Sequence, residues 1–181
     1  TIGNYLISGL TFLTIPLFSR LMSTADYGNY NTYIAFQNIL YIIVGFALHA
    51  SFKNAKYKYK ERFEEYVSAC ILLAFVNLIL WLVVFNILYF SYGGVINMSR
   101  LLINVLIMHS FGGALIQYFN SYVALDYQYK SFLKIAAANA LGNILLSVVL
   151  ILTVCRDTAY LGRTIGTAFP VILIAGYIMY Y

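Results

Sequence analysis

Apolar residues along this chain fall in long unbroken runs, and short polar stretches separate them. A helix that crosses a bilayer needs about 17–25 mostly apolar residues. Six segments qualify: 2–18, 30–52, 66–90, 101–125, 135–154 and 164–181. The fifth starts nearer Phe132 if Lys134 reaches back toward the head groups. Membrane β-strands need only about 9–11 residues and alternate between apolar and polar positions. The run "ILLAFVNLILWLVVFNILYF" is far longer and does not alternate, so helices are predicted. The expected fold is all-α, a polytopic transmembrane bundle of about six helices. No repeat relates the first three segments to the last three, and no low-complexity tract or polar domain interrupts them. Residues 1–181 therefore read as one bundle.

Composition supports this pattern and removes its rivals. Hydrophobic residues make up 62% of the chain and charged residues 9%, with a mean hydropathy of +0.82. Soluble domains carry about 25% charged residues, so a soluble enzyme, a nucleic-acid module and a disordered tail are excluded. The net charge of +5 resides in the connectors, where it orients a membrane protein rather than binding nucleic acid. The second and fourth connectors hold Lys53, Lys56, Lys58, Lys60, Arg62, Lys130 and Lys134. The first, third and fifth hold Arg20, Arg100, Arg156 and Arg163. Basic residues concentrate on the cytoplasmic side, which places the second and fourth connectors and the N-terminus inside. Cys70 and Cys155 show neither disulfide nor metal spacing, and no cofactor is expected. The chain begins at Thr1 and ends within "VILIAGYIMYY", as expected of a fragment of a longer protein. No secretory leader is expected, because the first apolar run lacks a basic start.

The chemistry available at membrane depth is basic or neutral. Asp26, Glu61, Glu64, Glu65, Asp126 and Asp157 all lie in connectors. Cation export coupled to protons or sodium draws on a buried carboxylate, and none is offered here. Arg20, His49, Arg100, His109, Lys134 and Arg163 remain, a set suited to an anionic substrate. Arg20 follows Pro16, which is expected to kink or loosen the end of the first helix. It either turns toward a central cavity or anchors at the interface. Arg163, just inside a helix start, is either held against a neighbouring helix, turned into the cavity or in contact with head groups, and Lys134 has the same ambiguity. Gly162 and Gly166 flank Arg163 with the four-residue spacing that lets helices approach closely. His49 and His109 are too far apart to form a metal site, and each has the option of a hydrogen bond to a neighbouring helix.

Amides are common inside the runs: Gln37, Asn38, Asn77, Asn86, Asn104, Gln117, Asn120, Asn139 and Asn143. They either line a polar cavity for sugar hydroxyls or join helices by hydrogen bonds. Asn139 and Asn143 share one helix face, and the small residues around them favour packing. In the second connector, Phe52, Tyr59, Phe63 and Tyr66 fall near one helical face, with basic residues on the others. That is either an amphipathic helix on anionic lipid or a solvated connector. Ser23 to Asp26 form a capping-box pattern that would start the second helix. No catalytic constellation appears, so an enzyme is not expected.

The stretch "GLTFLTIPLFSRLMSTADYGNYNTY" resembles the N-terminal part of bacterial oligosaccharide flippases. These form the Wzx-like branch of the multidrug/oligosaccharidyl-lipid/polysaccharide transporter superfamily. Pro16, Arg20, Leu21, Asp26, Tyr27 and Gly28 carry the resemblance. "AYLGRTIGTAF" is similar to the family's opening of the sixth helix, and "KYKYKERFEEYVSA" to its second connector. The resemblance implies a two-bundle transporter of 12–14 helices, with this chain as one half.

It also implies movement of a lipid-linked oligosaccharide, on an undecaprenyl pyrophosphate type of carrier, across the bacterial cell membrane. The direction would be from the cytoplasmic to the outer leaflet, by alternating access. Arg20, Lys134 and Arg163 become candidates for the anionic head group, and Asn139 and Asn143 for sugar. The implied partners are that substrate, membrane lipids, the other helix bundle and polysaccharide polymerase machinery, with no nucleic acid. The runner-up is an ion-coupled multidrug or organic-cation antiporter of the same superfamily. A glycosyl-transferring enzyme and a scaffold rank lower.

Overall fold

The computed structural model describes residues 2–92 and 98–180. Part of the third connector (93–97) and the two terminal residues lie outside that range. Among the described residues the structure is almost entirely helical and has no strand. Six helices of 20 residues or more are joined by one short helix and two brief 3-10 turns. They are α1 (Ile2–Leu21), α2 (Thr24–Gly45), α3 (Phe52–Tyr59), α4 (Phe63–Tyr92), α5 (Arg100–Leu125), α6 (Tyr129–Thr153) and α7 (Ala159–Tyr180). The all-α expectation is met. Four described stretches are long and apolar enough to cross a membrane: Leu48–Ser91, Arg100–Leu125, Tyr129–Thr153 and Ala159–Tyr180.

Local chemistry sets several of the boundaries. Ser23 caps α2 as its motif predicts: its hydroxyl accepts from the Asp26 amide at 3.1 Å and donates to the Asp26 carboxylate at 2.7 Å. Pro16 lies inside α1, which runs on to Leu21. The expected second span, 30–52, needs correction, because α2 stops at Gly45. Phe46 and Ala47 both take left-handed backbone angles, with φ of 52° and 49°. Such angles cost an L-residue about 1–2 kcal/mol, so tertiary partners must hold them. The Asn77 side-chain amide donates to the Ile43 and Val44 carbonyls at 2.9 Å each, and the Tyr118 hydroxyl donates to the Gly45 carbonyl. A side chain at Gly45 would collide with Ala114. The last carbonyls of α2 are thus satisfied by α4 and α5 rather than by continued helix.

Beyond this break, Leu48–Ser51 forms a 3-10 turn that leads into α3. The predicted aromatic face exists but is divided by a turn at Lys60, whose φ is 45°. Phe52 and Phe63 meet edge to face at 6.0 Å, and Tyr59 stacks on Tyr66 at 5.1 Å. Phe52 and Ala55 are buried against the bundle, so the apolar side of α3 faces protein rather than lipid. At this elbow Glu65 accepts from Arg62 at 2.9 Å. That hydrogen bond, with the carboxylate's charge, raises the Arg62 pKa above its usual value.

α5 forms the centre of the bundle and packs against α2, α4, α6 and α7. Ile107, Leu115 and Tyr118 belong to its main core, together with Val44, Phe52 and Ala74. Cys70 packs in the same core. Lys56 of α3 pairs with Asp126 at the end of α5, which joins the second and fourth connectors at one end of the bundle. Asp26 accepts from the Tyr160 amide at 3.5 Å and joins the first and fifth at the other.

Candidate functional site

α6 and α7 meet backbone to backbone. A side chain at Gly166 would stand 2.6 Å from the Ser147 backbone nitrogen, and one at Gly162 would stand 3.1 Å from Ile151. This is the close approach that the glycine spacing predicts, and it carries Arg163 into the interior. Arg163 is only 6% exposed. Its Nη1 donates to Ser147 Oγ at 2.9 Å and to Asn143 Oδ1. The guanidinium carbon lies 3.7 Å from the centre of the Phe18 ring and 5.0 Å from that of Tyr30. Thr167 donates to the Arg163 carbonyl at 2.7 Å and shares a 3.3 Å hydrogen bond with the Tyr30 hydroxyl.

Among the described residues no carboxylate pairs with Arg163. A buried charge is costly unless hydrogen bonds and ring faces replace its water. Here neutral oxygens and two aromatic rings do so, and α1, α2, α6 and α7 converge on one side chain.

The structure brings together two of the five predicted site residues, Arg163 and Asn143. Asn139 lies one turn earlier on α6, and its Oδ1 is buried without a hydrogen-bond partner. Arg20 and Lys134 are exposed, and among the described residues neither shares a hydrogen bond or ring contact with this cluster. Arg20 occupies the last turn of α1. Lys134 is nine residues from Asn143, about 13 Å along α6, toward the opposite end of the bundle. Sequence reasoning did not find Phe18, Tyr30 or Ser147. Only Ser147 left a trace, four residues after Asn143 on the same helix face.

Most of the remaining polar residues fall into two groups, whereas the Asn120 Oδ1 is buried without a hydrogen-bond partner. Asn77 caps α2, as described above. Asn86 donates to Asn104 at 2.8 Å and accepts from Arg100 at 2.7 Å, which joins α4 to α5. His109 Nδ1 meets the Tyr33 hydroxyl at 3.1 Å. These are helix-joining bonds. Asn38 and Gln117, in contrast, are exposed, with Gln37, Tyr41 and Ser121 half-buried. Gln37 Nε2 lies 3.1 Å from where a side chain at Gly113 would begin, and Tyr41 stands beside it. α2 and α5 thus share a face of amides and hydroxyls within the expected spans.

The outward face of α4 is quite different: Leu72, Val76, Ile79, Leu80, Val83 and Ile87. That is a surface suited to hydrocarbon. A cleft of about 760 Å³ between α2 and α5 is also mainly apolar, lined by residues such as Phe36, Leu40, Leu102 and Ile107. It contains none of the predicted site residues.

A family model described as "Polysaccharide biosynthesis protein" matches residues 1–181. The chain belongs to the polysaccharide biosynthesis protein family. This is the Wzx-like group that the turn after Pro16 and the Gly-Arg opening of α7 resemble. No curated protein and no solved structure matches the chain. Membership establishes a part in polysaccharide synthesis or export for this membrane protein.

Proposed function

We propose that this chain helps move a lipid-linked oligosaccharide from the cytoplasmic to the outer leaflet of the bacterial cell membrane. It does so as half of an alternating-access transporter rather than as an enzyme. The observation that carries this reading is the polar face of α2 and α5. Exposed Asn38 and Gln117 have no partner in hydrocarbon, where each unsatisfied polar group costs several kcal/mol. Intramembrane polar groups therefore face a bundle interior or a watery cavity, and a second helix bundle opposite this face would complete such a cavity. Amides and hydroxyls suit sugar hydroxyls, and the spans hold no carboxylate for a cationic drug.

The basic second and fourth connectors face the cytoplasm, with the N-terminus on the same side. Arg20, exposed at the other end, is our candidate for the substrate's phosphate there. Asn139 and Asn143 remain candidates for sugar where α6 borders the cavity, and polymerase machinery would receive the product.

The test measures lipid-linked oligosaccharide in each leaflet of cells with and without the intact gene. Finished units should accumulate on the cytoplasmic side after deletion. A double variant, Asn38→Leu with Gln117→Leu, should slow transport by about tenfold, the equivalent of one or two hydrogen bonds, while thermal stability holds. Unchanged pools in cells without a redundant transporter, accompanied by loss of ion-dependent organic-cation efflux, would replace this reading with the antiporter.

A further inference from the structure

Along the seam of α6 and α7, two adjoining clefts of about 500 and 480 Å³ share Ala138, Leu173 and Ile174. The first opens at the lysine-rich end of the bundle, and its lining includes Lys134, Ser131 and Tyr177. The second contains no charged residue: Gly142, Leu145, Val149, Phe169 and Pro170 are among its walls. Its floor is shallow in side chains, because Gly142 sits against Pro170, with 3.2 Å from a would-be Cβ to the proline ring. Together the clefts make one furrow with a cationic, hydroxylated mouth and an apolar continuation.

We propose that this furrow binds one anionic phospholipid, its phosphate at Lys134 and Ser131 and an acyl chain along Ala138, Gly142 and Leu145. Charge supports the head-group assignment. Lys134 is exposed at the mouth, Lys130 stands one turn before it, and no Asp or Glu lines either cleft. Depth supports the chain assignment. Lys134 to Leu145 is eleven residues, about 16 Å of helix, close to half of a hydrocarbon core about 30 Å thick. A phospholipid tail fills one leaflet, whereas a long polyprenyl chain would overrun the furrow. Basic pockets between helices on the cytoplasmic side are a recognised kind of lipid head-group site. This assignment does not depend on the transport reading, since its test involves no transport.

The experiment is native mass spectrometry of the intact protein, purified in mild detergent and offered phosphatidylglycerol and phosphatidylcholine in equal amounts. The wild type should retain one phosphatidylglycerol about fivefold in preference, the effect of roughly one lysine near a lipid surface. Lys134→Ala should erase the preference, and Lys134→Glu should reverse it, while either lipid is still held. Ala138 is exposed in the furrow, so Ala138→Trp should expel both lipids with melting behaviour unchanged in lipid-free detergent. Equal retention of the two lipids by the wild type overturns the proposal, as does an intact preference in Lys134→Ala. Polyprenyl phosphate displacing phosphatidylglycerol at equal concentration overturns it in favour of the carrier lipid.

Discussion

Arg163 and Lys134 are both cations on the α6–α7 pair, and both read in the sequence as candidates for an anionic ligand. The fold treats them in opposite ways. Arg163 enters where glycines draw the two helices together, and its charge is absorbed by Asn143, Ser147 and two rings. Lys134 sits where the helices part, exposed at the mouth of a furrow. The planar guanidinium can stack and form paired hydrogen bonds, whereas a flexible ammonium keeps its head in the polar zone. A positive charge near a membrane surface is thus evidence of a ligand only once its neighbours are known.

Removing Arg163 should break this contrast most visibly. Arg163→Ala strands Asn143 and Ser147 and empties the space between the rings. Hydrogen bonds from a charged donor contribute about 1.5–3 kcal/mol each, so a loss of about 3–4 kcal/mol is expected. It would appear as a fall of about 6–15 °C in the thermal unfolding midpoint. Full stability with only transport lost would make Arg163 a ligand contact instead.

Gly166→Ala attacks the helix approach itself. Its new methyl group meets the Ser147 backbone at 2.5–2.6 Å, and overpacking of this kind costs about 1–3 kcal/mol. The same substitution at exposed Gly28, which has nothing within 4 Å, should be tolerated in the same unfolding assay.

Phe18→Leu keeps an apolar contact but removes the ring face from the guanidinium. A loss of about 1 kcal/mol, typical of a partly desolvated cation–π contact, should loosen the end of α1. Faster amide exchange over 17–21 would register it. Lys56→Ala, at the other end, opens a pair whose side chains are about one-third exposed (34% and 37%). Its cost should stay within about 0.2–1 kcal/mol and shrink further in high salt.

The six-helix rhythm was legible because hydrocarbon tolerates only long apolar runs, and the start of α2 was legible because Ser23 caps it from three residues away. The close approach at Gly162 and Gly166 could also be read from spacing alone. The end of α2 could not. Neither Phe46 nor Ala47 is a residue that favours left-handed backbone, and the donors that impose it belong to α4 and α5. Arg163 was legible as a functional candidate and as a residue held against a neighbouring helix, but its ring partners were not, because Phe18 and Tyr30 reach it from helices more than 130 positions earlier in the chain. Amides presented a third case: the sequence showed them inside the spans, but only packing separated Asn86, which joins helices, from Asn38 and Gln117, which face outward.

The borrowed donors at the end of α2 impose an order of assembly. A growing chain leaves the ribosome from its N-terminus, so Gly45 emerges before Asn77 and well before Tyr118. Until α4 arrives, the Ile43 and Val44 carbonyls lack their side-chain partner, and until α5 arrives the Gly45 carbonyl lacks the tyrosine hydroxyl. The elbow that follows α2 therefore acquires its final bend only after three more helical segments have been synthesised. The end of α2 thus takes its shape from segments made after it.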